Sequence, residues 1–318
     1  MKRDAANVVN VVVTCSSRKS VKPVPHLSIR SLSGNTLLQQ FDNWRRRIEE
    51  VELAKRLSAK DLYQGDHWTT VRRLIDNPLS ETRRVQVWIA SAGCGLISPE
   101  TSVPAYAATF SSRDPDCIGS TSQTRRAWWN SLSSIDFKEA IPRSLTALVT
   151  CYPASPLLVA ASPDYLDAMA PDLADARDRL RTANSMIVLC REGSLPGEMD
   201  REKIYLSADL ASSLGGALTS LNARVLVWLL TRPKQIFNHD AILRAISRLR
   251  SESQPRQHIV RQRSSDNSIR DYIRQRLQAD VSMSGSAMLA EYRKSGMAAE
   301  QGRFKALYLE VKQEVCIG

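Results

Sequence analysis

Four short apolar runs constrain the fold of this chain more than any other feature. Val8–Cys15 (VVNVVVTC) is almost entirely apolar and β-branched, and Val85–Ala92 (VQVWIASA), Leu157–Ala161 (LLVAA) and Ile187–Cys190 (IVLC) look similar. Runs of this kind mark strands buried on both faces, as in a parallel sheet. Leu145–Cys151 is a fifth candidate strand. Between the runs lie helical patterns. Leu37–Leu57 spaces Leu37, Phe41, Trp44, Ile48, Val51 and Leu57 along one helix, and Trp68–Ile75 and Tyr165–Leu180 read as further helices. Strands alternating with helices predict an α/β domain with a Rossmann-like parallel sheet covered on both faces. Ligands of such sheets bind outside the carboxyl ends of the strands, so the residues following each strand are the ones to inspect.

The length of 318 residues suits about two domains. With 43% hydrophobic and 24% charged residues the composition is that of a globular protein. No apolar run approaches the roughly 18–20 residues of a membrane helix, and the amino-terminal segment lacks a small-residue cleavage site. A soluble, cytoplasmic protein with no membrane partner is expected. None of the six cysteines forms a CxxC or a Cys/His pair at zinc spacing, and the four histidines are scattered. No metal site is expected. Cys15, Cys151 and Cys190 close apolar runs and read as buried free thiols.

The net charge of +11 is uneven. Residues 219–318 carry 17 Lys/Arg against 9 Asp/Glu, and residues 1–218 carry 27 against 24. An excess concentrated in the last third points to an anionic partner, nucleic acid above all, although a solvated basic face gives the same count. The pattern changes at the same place. Leu221–Leu230 is an apolar helix, Asn238 or His239-Asp240 can cap AILRAISRLR, Asp266 can cap SIRDYIRQRL, and helices follow Ser284-Gly285-Ser286 and begin again near Ala299. The reading is two domains, an α/β domain over 1–218 and a mainly helical, winged-helix-like domain over 219–318. Arg256, Arg261, Arg263, Arg270 and Arg274 are its candidate phosphate contacts.

After the first strand comes Cys15-Ser16-Ser17-Arg18-Lys19. Its hydroxyls and cations would suit a phosphate, and Lys19 could be a nucleophile if its pKa were lowered. After the second comes Ser91-Ala92-Gly93-Cys94-Gly95. Gly93 and Gly95 permit close approach of a ligand and leave the Cys94 thiol accessible. Asp66, His67 and Tyr106 can move protons, and Tyr63 and Trp68 can stack on a flat base or be ordinary core. P-loop, GxGxxG, HExxH and GxSxG motifs are absent, which disfavours ATP hydrolysis, dinucleotide redox and serine hydrolysis.

Three segments taken in order, TCSSRK, DLYQGDHW and SAGCGLISPETSVPAYAATF, resemble the small α/β domain of archaeosine-synthase-like proteins and their bacterial 7-deazaguanine DNA-modification relatives. The resemblance covers roughly residues 8–195. It rests on Cys15, Ser16, Arg18 and Lys19, on Leu62 and Tyr63, on Ser91, Ala92, Gly95, Leu96 and Pro99, and on Pro104, Tyr106 and Thr109. Gly93-Cys94 stands where an aromatic residue or lysine is common. SLNARVLVWLL and MLAEYRKSGMAAEQGRFKALY resemble segments appended to defence-associated relatives. The resemblance implies a partner in double-stranded DNA carrying a modified base, alongside other proteins of a modification or restriction system and without a cofactor. It also implies an activity: hydration of the nitrile of 7-cyano-7-deazaguanine to the carboxamide. In that reaction Cys94 or Lys19 would attack the nitrile, Asp66, His67 or Tyr106 would move protons, and Cys15, Ser16, Tyr63, Trp68, Ser91, Gly93 and Gly95 would line the base site. Arg18 and the C-terminal arginines would hold phosphate. Two other readings stay open: a base-excising N-glycosidase using Asp61, Asp66 or Glu100, and a non-enzymatic DNA-binding sensor.

Overall fold

In a computed structural model, which describes residues 8–76, 84–139, 141–182, 184–191, 199–232, 236–252 and 262–317, the chain divides into two compact units, 1–255 and 256–318. The first unit runs β1 (Val8–Thr14), α1 (Leu37–Glu49), β2 (Leu57–Ser58), α2 (Ala59–Leu62), α3 (Asp66–Asp76), β3 (Arg84–Ser91), β4 (Gly95–Ile97), β5 (Ser102–Val103), α4 (Ser122–Leu132), α5 (Leu145–Cys151), β6 (Leu157–Ala160), α6 (Pro163–Arg179), β7 (Met186–Cys190), β8 (Lys203–Tyr205), α7 (Leu210–Leu214), α8 (Leu221–Thr231) and α9 (His239–Glu252). The four apolar runs of the sequence are β1, β3, β6 and β7.

They join a six-stranded sheet in the order β4-β3-β1-β6-β7-β8, parallel throughout except for β4. β1 is central, pairing Val11 with Val87 on one side and with Leu158 on the other. β6 and β7 are buried along their whole length, so both sheet faces need cover. Two sets of helices supply it: α1, α4, α5 and α6 pack among themselves, as do α3, α7, α8 and α9.

In the first unit and at its boundary, the structure departs from the sequence reading in four places. Leu145–Cys151 is a helix. Ser144 caps it by accepting from Ala147 N, and the buried Asp172 carboxylate accepts from Leu145 N and Thr146 N at 2.9 Å each. Cap chemistry satisfies the first-turn donors and overrides the β-branched content. The helix from Leu37 stops at Glu49, and Cys151 is exposed. The divide between units falls after Pro255, later than 218. Ala223, Val225, Leu226 and Leu229 of α8 and Ile242 of α9 belong to the core of the first unit. In sequence, an apolar helix next to a change in charge looks like the start of a new domain, while its burial belongs to the core of the first unit.

The second unit holds β9 (Gln262–Arg263), α10 (Asp266–Ala279), α11 (Gly285–Lys294), β10 (Met297–Ala298) and α12 (Gln301–Ile317). Its separate core gathers Ile269, Ile273, Leu277, Met288, Tyr292, Phe304 and Val311. Ser265, not Asp266, caps α10 by accepting from Ser268 N. Arg270 meets Glu310 and Arg274 meets Glu314. One turn along α10 matches one turn along α12 in the same sense, so these two helices run parallel. No helix among the described residues is long and apolar enough to cross a membrane.

Candidate functional site

Strand order decides where this sheet can take a ligand. From β1 the chain builds outward to β3 and β4, then returns to the other side of β1 and builds outward through β6, β7 and β8. The order therefore reverses between β1 and β6, and a crevice opens there beyond the carboxyl ends of the strands. A cavity of about 390 Å³ occupies it. The end of β1 contributes Thr14, Cys15, Ser16 and Ser17. The end of β6 contributes Ala161, Ser162 and Pro163, and α6 adds Tyr165. The loop after β5 gives Thr109, Ser111 and Asp114, and His67, Arg191, Thr219 and Asn222 complete the wall. A lining rich in hydroxyls with one amide, one carboxylate, one imidazole and one guanidinium suits a polar ligand of nucleoside size.

The turn after β1 is held in place. Ser20 N donates to Leu62 O at 2.8 Å, Gln64 N to Arg18 O at 2.9 Å and Ser16 Oγ to Gln64 O at 2.6 Å. Gly65 turns the chain into α3 with a φ of +98°, where a Cβ would also press on the Arg18 side chain. The His67 ring Nε2–H donates to Thr14 O at 2.9 Å. Because a carbonyl oxygen only accepts, Nε2 carries a proton, so in the neutral ring Nδ1 is the lone-pair base, and among the described residues Nδ1 has no partner. Burial lowers the His67 pKa below its ordinary value.

Beneath the cavity lies a buried polar network. Cys15 Sγ stands 3.3 Å from Tyr165 OH and accepts from Tyr106 OH at 3.7 Å. Tyr106 OH also meets Ser91 Oγ at 2.6 Å and Tyr63 OH at 2.8 Å. Burial pushes all three phenols well above their ordinary pKa, so they are neutral hydrogen-bonding groups. The half-buried Lys19 ammonium lies 4.4 Å from the centre of the Tyr106 ring and donates to Ser16 O at 3.4 Å. Burial lowers its pKa, which raises the share of free amine.

Of the residues picked from the sequence, Cys15, Ser16 and His67 line the cavity. Tyr63, Tyr106 and Ser91 lie in the network below it. Cys94 is corrected: it is fully buried and burial pushes its thiol up to about 12, so it is neither accessible nor ionised. Its loop is interior because side chains satisfy the loop carbonyls. Trp44 Nε1–H donates to Gly93 O, Trp128 Nε1–H to Ala92 O, and Arg143 to both Cys94 O and Leu96 O. Gly93 leaves room for the Tyr106 ring, which a Cβ would meet at 2.6 Å, and Gly95 serves a turn with φ +75°. Both glycines thus serve packing and not a base. For Tyr63 and Trp68 the core alternative of the sequence reading holds: they pack on each other at 5.1 Å in the core, and Trp68 Nε1–H donates to Lys60 O. Asp66 is tied to Ser220 Oγ at 2.6 Å and to Arg224 at 2.7 Å, bonds that hold its carboxyl below the usual range.

In the second unit Arg263 is exposed, whereas Arg270 and Arg274 are engaged by Glu310, Asp271 and Glu314. Arg256 and Arg261 lie outside the described residues. Among the described residues no three His, Cys, Asp or Glu side chains gather as a metal site requires.

Tyr165, Ser162 and Arg191 were missed although they follow β6 and β7, where the strand-end rule points. Asn222, whose Nδ2 donates to Ala161 O at 2.7 Å, was missed because α8 was assigned to the other domain. Comparison with protein-family models, with curated proteins and with solved structures returned no match.

Proposed function

We propose that the first unit binds a 7-deazaguanine base of DNA in the switch-point cavity and hydrates its nitrile, turning 7-cyano-7-deazaguanine into the carboxamide. The observation that carries this reading is the cavity, in which a cysteine thiol, a neutral imidazole and a carboxylate share one polar wall. A guanine-type edge offers N–H donors that Asp114 can accept, and base carbonyl and ring nitrogens that hydroxyls and Asn222 can meet. Cys15 replaces Cys94 as the nucleophile. Its sulfur adds to the nitrile carbon while its proton passes to the nitrile nitrogen, giving a thioimidate. His67 Nδ1 then takes a proton from water as the oxygen attacks that carbon. Collapse breaks the C–S bond and expels the Cys15 sulfur, which regains its proton from His67; the hydroxyl proton moves to the nitrogen as the imidic acid becomes the carboxamide, and the net change is addition of one water. Lys19 is the alternative nucleophile. The second unit grips the duplex as a winged-helix-like module would, with Arg18 holding phosphate beside the cavity.

The glycosidase reading has lost its carboxylates, since Asp61, Asp66 and Glu100 are surface groups paired with Arg72, Arg224 and Lys60. The sensor reading keeps one observation in its favour: the phenols beneath the cavity are neutral. Mass spectrometry of nucleosides from DNA carrying 7-cyano-7-deazaguanine separates the three. Gain of one water with wild type, lost in Cys15→Ala or in Lys19→Ala, supports the proposal. Unchanged turnover in both variants sinks covalent catalysis, unaltered DNA bound by the protein leaves the sensor, and free base identifies the glycosidase.

A further inference from the structure

A second cavity, of about 530 Å³, lies within the carboxyl-terminal unit. The parallel pairing of β9 with β10 sets Arg263 beside Ala298, just before the chain enters α12. Arg263, Ser264, Arg293, Glu300 and Arg303 line the cavity. Three guanidinium groups therefore line the cavity with one carboxylate, Glu300, and a second carboxylate, Asp266, meets Arg303; both carboxylates are engaged. Glu300 accepts from Gly302 N at 2.8 Å and Arg303 N at 2.7 Å, which closes the amino end of α12. Asp266 accepts from Arg303 Nε at 2.6 Å, and Arg303 also donates to Ser264 O at 3.0 Å. Arg293 donates to Ala299 O at 2.8 Å.

Two groups are left over. Arg263 is exposed, and among the described residues its guanidinium has no partner. Ser264 is only 9% exposed, and its Oγ is buried without a hydrogen bond. Buried hydroxyls are almost always paired, so an orphan in the wall of a cationic cavity points to a missing acceptor. We propose that this cavity is a phosphate site. The planar fork of Arg263 takes two phosphate oxygens, Ser264 Oγ–H donates to a third, and Arg293 and Arg303 supply positive potential. The phosphate it serves is a phosphodiester of the DNA backbone, so the proposal deepens the DNA-binding part of the reading above and rests on it.

The test uses the full chain in two arms: a fluorescent DNA duplex titrated over a salt series, and inorganic phosphate followed by calorimetry. Arg263→Ala is expected to weaken duplex binding about tenfold and to lower the slope of log K against log salt by about one. Arg263→Lys restores the slope but not the affinity, because charge returns without the fork. Ser264→Ala weakens binding with the slope unchanged. Loss of inorganic phosphate binding in Arg263→Ala with an unaltered duplex slope overturns the backbone assignment in favour of a free phosphate. Unaltered behaviour in both arms overturns the site. Conversion of the free modified nucleoside, which needs no grip on DNA, is measured in parallel. Conversion with both arms negative removes this proposal alone, and no conversion with both arms positive removes the base chemistry alone.

Discussion

At the scale of single residues, the roles of two cysteines are separated by solvent. Cys15 directly follows β1 and reaches the cavity, whereas Cys94 lies in the buried turn between β3 and β4, whose carbonyls are held by Trp44, Trp128 and Arg143. Cys94→Ala is therefore expected to lower stability by about 1 kcal/mol, seen in denaturant unfolding, with turnover within about twofold of wild type. His67 carries a second prediction. Because burial lowers its folded pKa, the unfolded chain binds the extra proton first. Its contribution to stability is complete above the ordinary imidazole range and is lost as pH falls through that range toward the lowered value. The free base persists over the same interval. The acid limb of the rate profile should lie below the ordinary imidazole range, and His67→Gln should remove it with a fall of about a hundred- to ten-thousand-fold in rate. The turn of Cys15, Ser16 and Lys19 was legible because it follows a buried run. The burial of Cys94 was not, since a glycine that admits a ligand and a glycine that admits a tyrosine ring read the same in sequence.

At the scale of elements, side-chain donors and carboxylates explain what periodicity could not. Asp172 accepts from Trp129 Nε1, from Leu145 N and Thr146 N, and from Thr146 Oγ1 at 2.8 Å. It joins α4, α5 and α6 and makes a helix of a segment that looks like a strand. Asp172→Ala should cost about 2–4 kcal/mol in chemical denaturation, because it orphans buried donors. The tie of Asp66 to Arg224 joins α3 to α8 in a more exposed setting and contributes at most about 1 kcal/mol once solvent screening is counted. Since its pKa is lowered, that small contribution is present above the ordinary carboxyl range and lost on acidification through the lowered value. The four sheet strands were readable because each is apolar throughout. Helix α8 was readable as a helix but not as part of the sheet's cover, since a sequence shows that a face is apolar and not what it meets.

At the scale of the whole molecule the described residues form two hydrophobic cores, one for each compact unit. All six tryptophans (44, 68, 88, 128, 129 and 228) fall in the first unit. Tryptophan fluorescence reports that unit alone, while far-ultraviolet circular dichroism reports the helices of both. The two probes should give transitions that do not coincide, and Leu277→Ala should shift the circular dichroism transition while leaving the fluorescence one in place. The basic excess of residues 219–318 divides evenly between the units: residues 219–255 carry 6 Lys/Arg against 2 Asp/Glu, and residues 256–318 carry 11 against 7.

The central claim is that the switch-point cavity holds the modified base. Hydrogen exchange followed by mass spectrometry, on the full chain with and without saturating 7-cyano-7-deazaguanine nucleoside, tests it most directly. Added protection in segments 14–17, 109–114 and 160–165 is the predicted result. Protection confined to other segments, or none at all, would contradict the account.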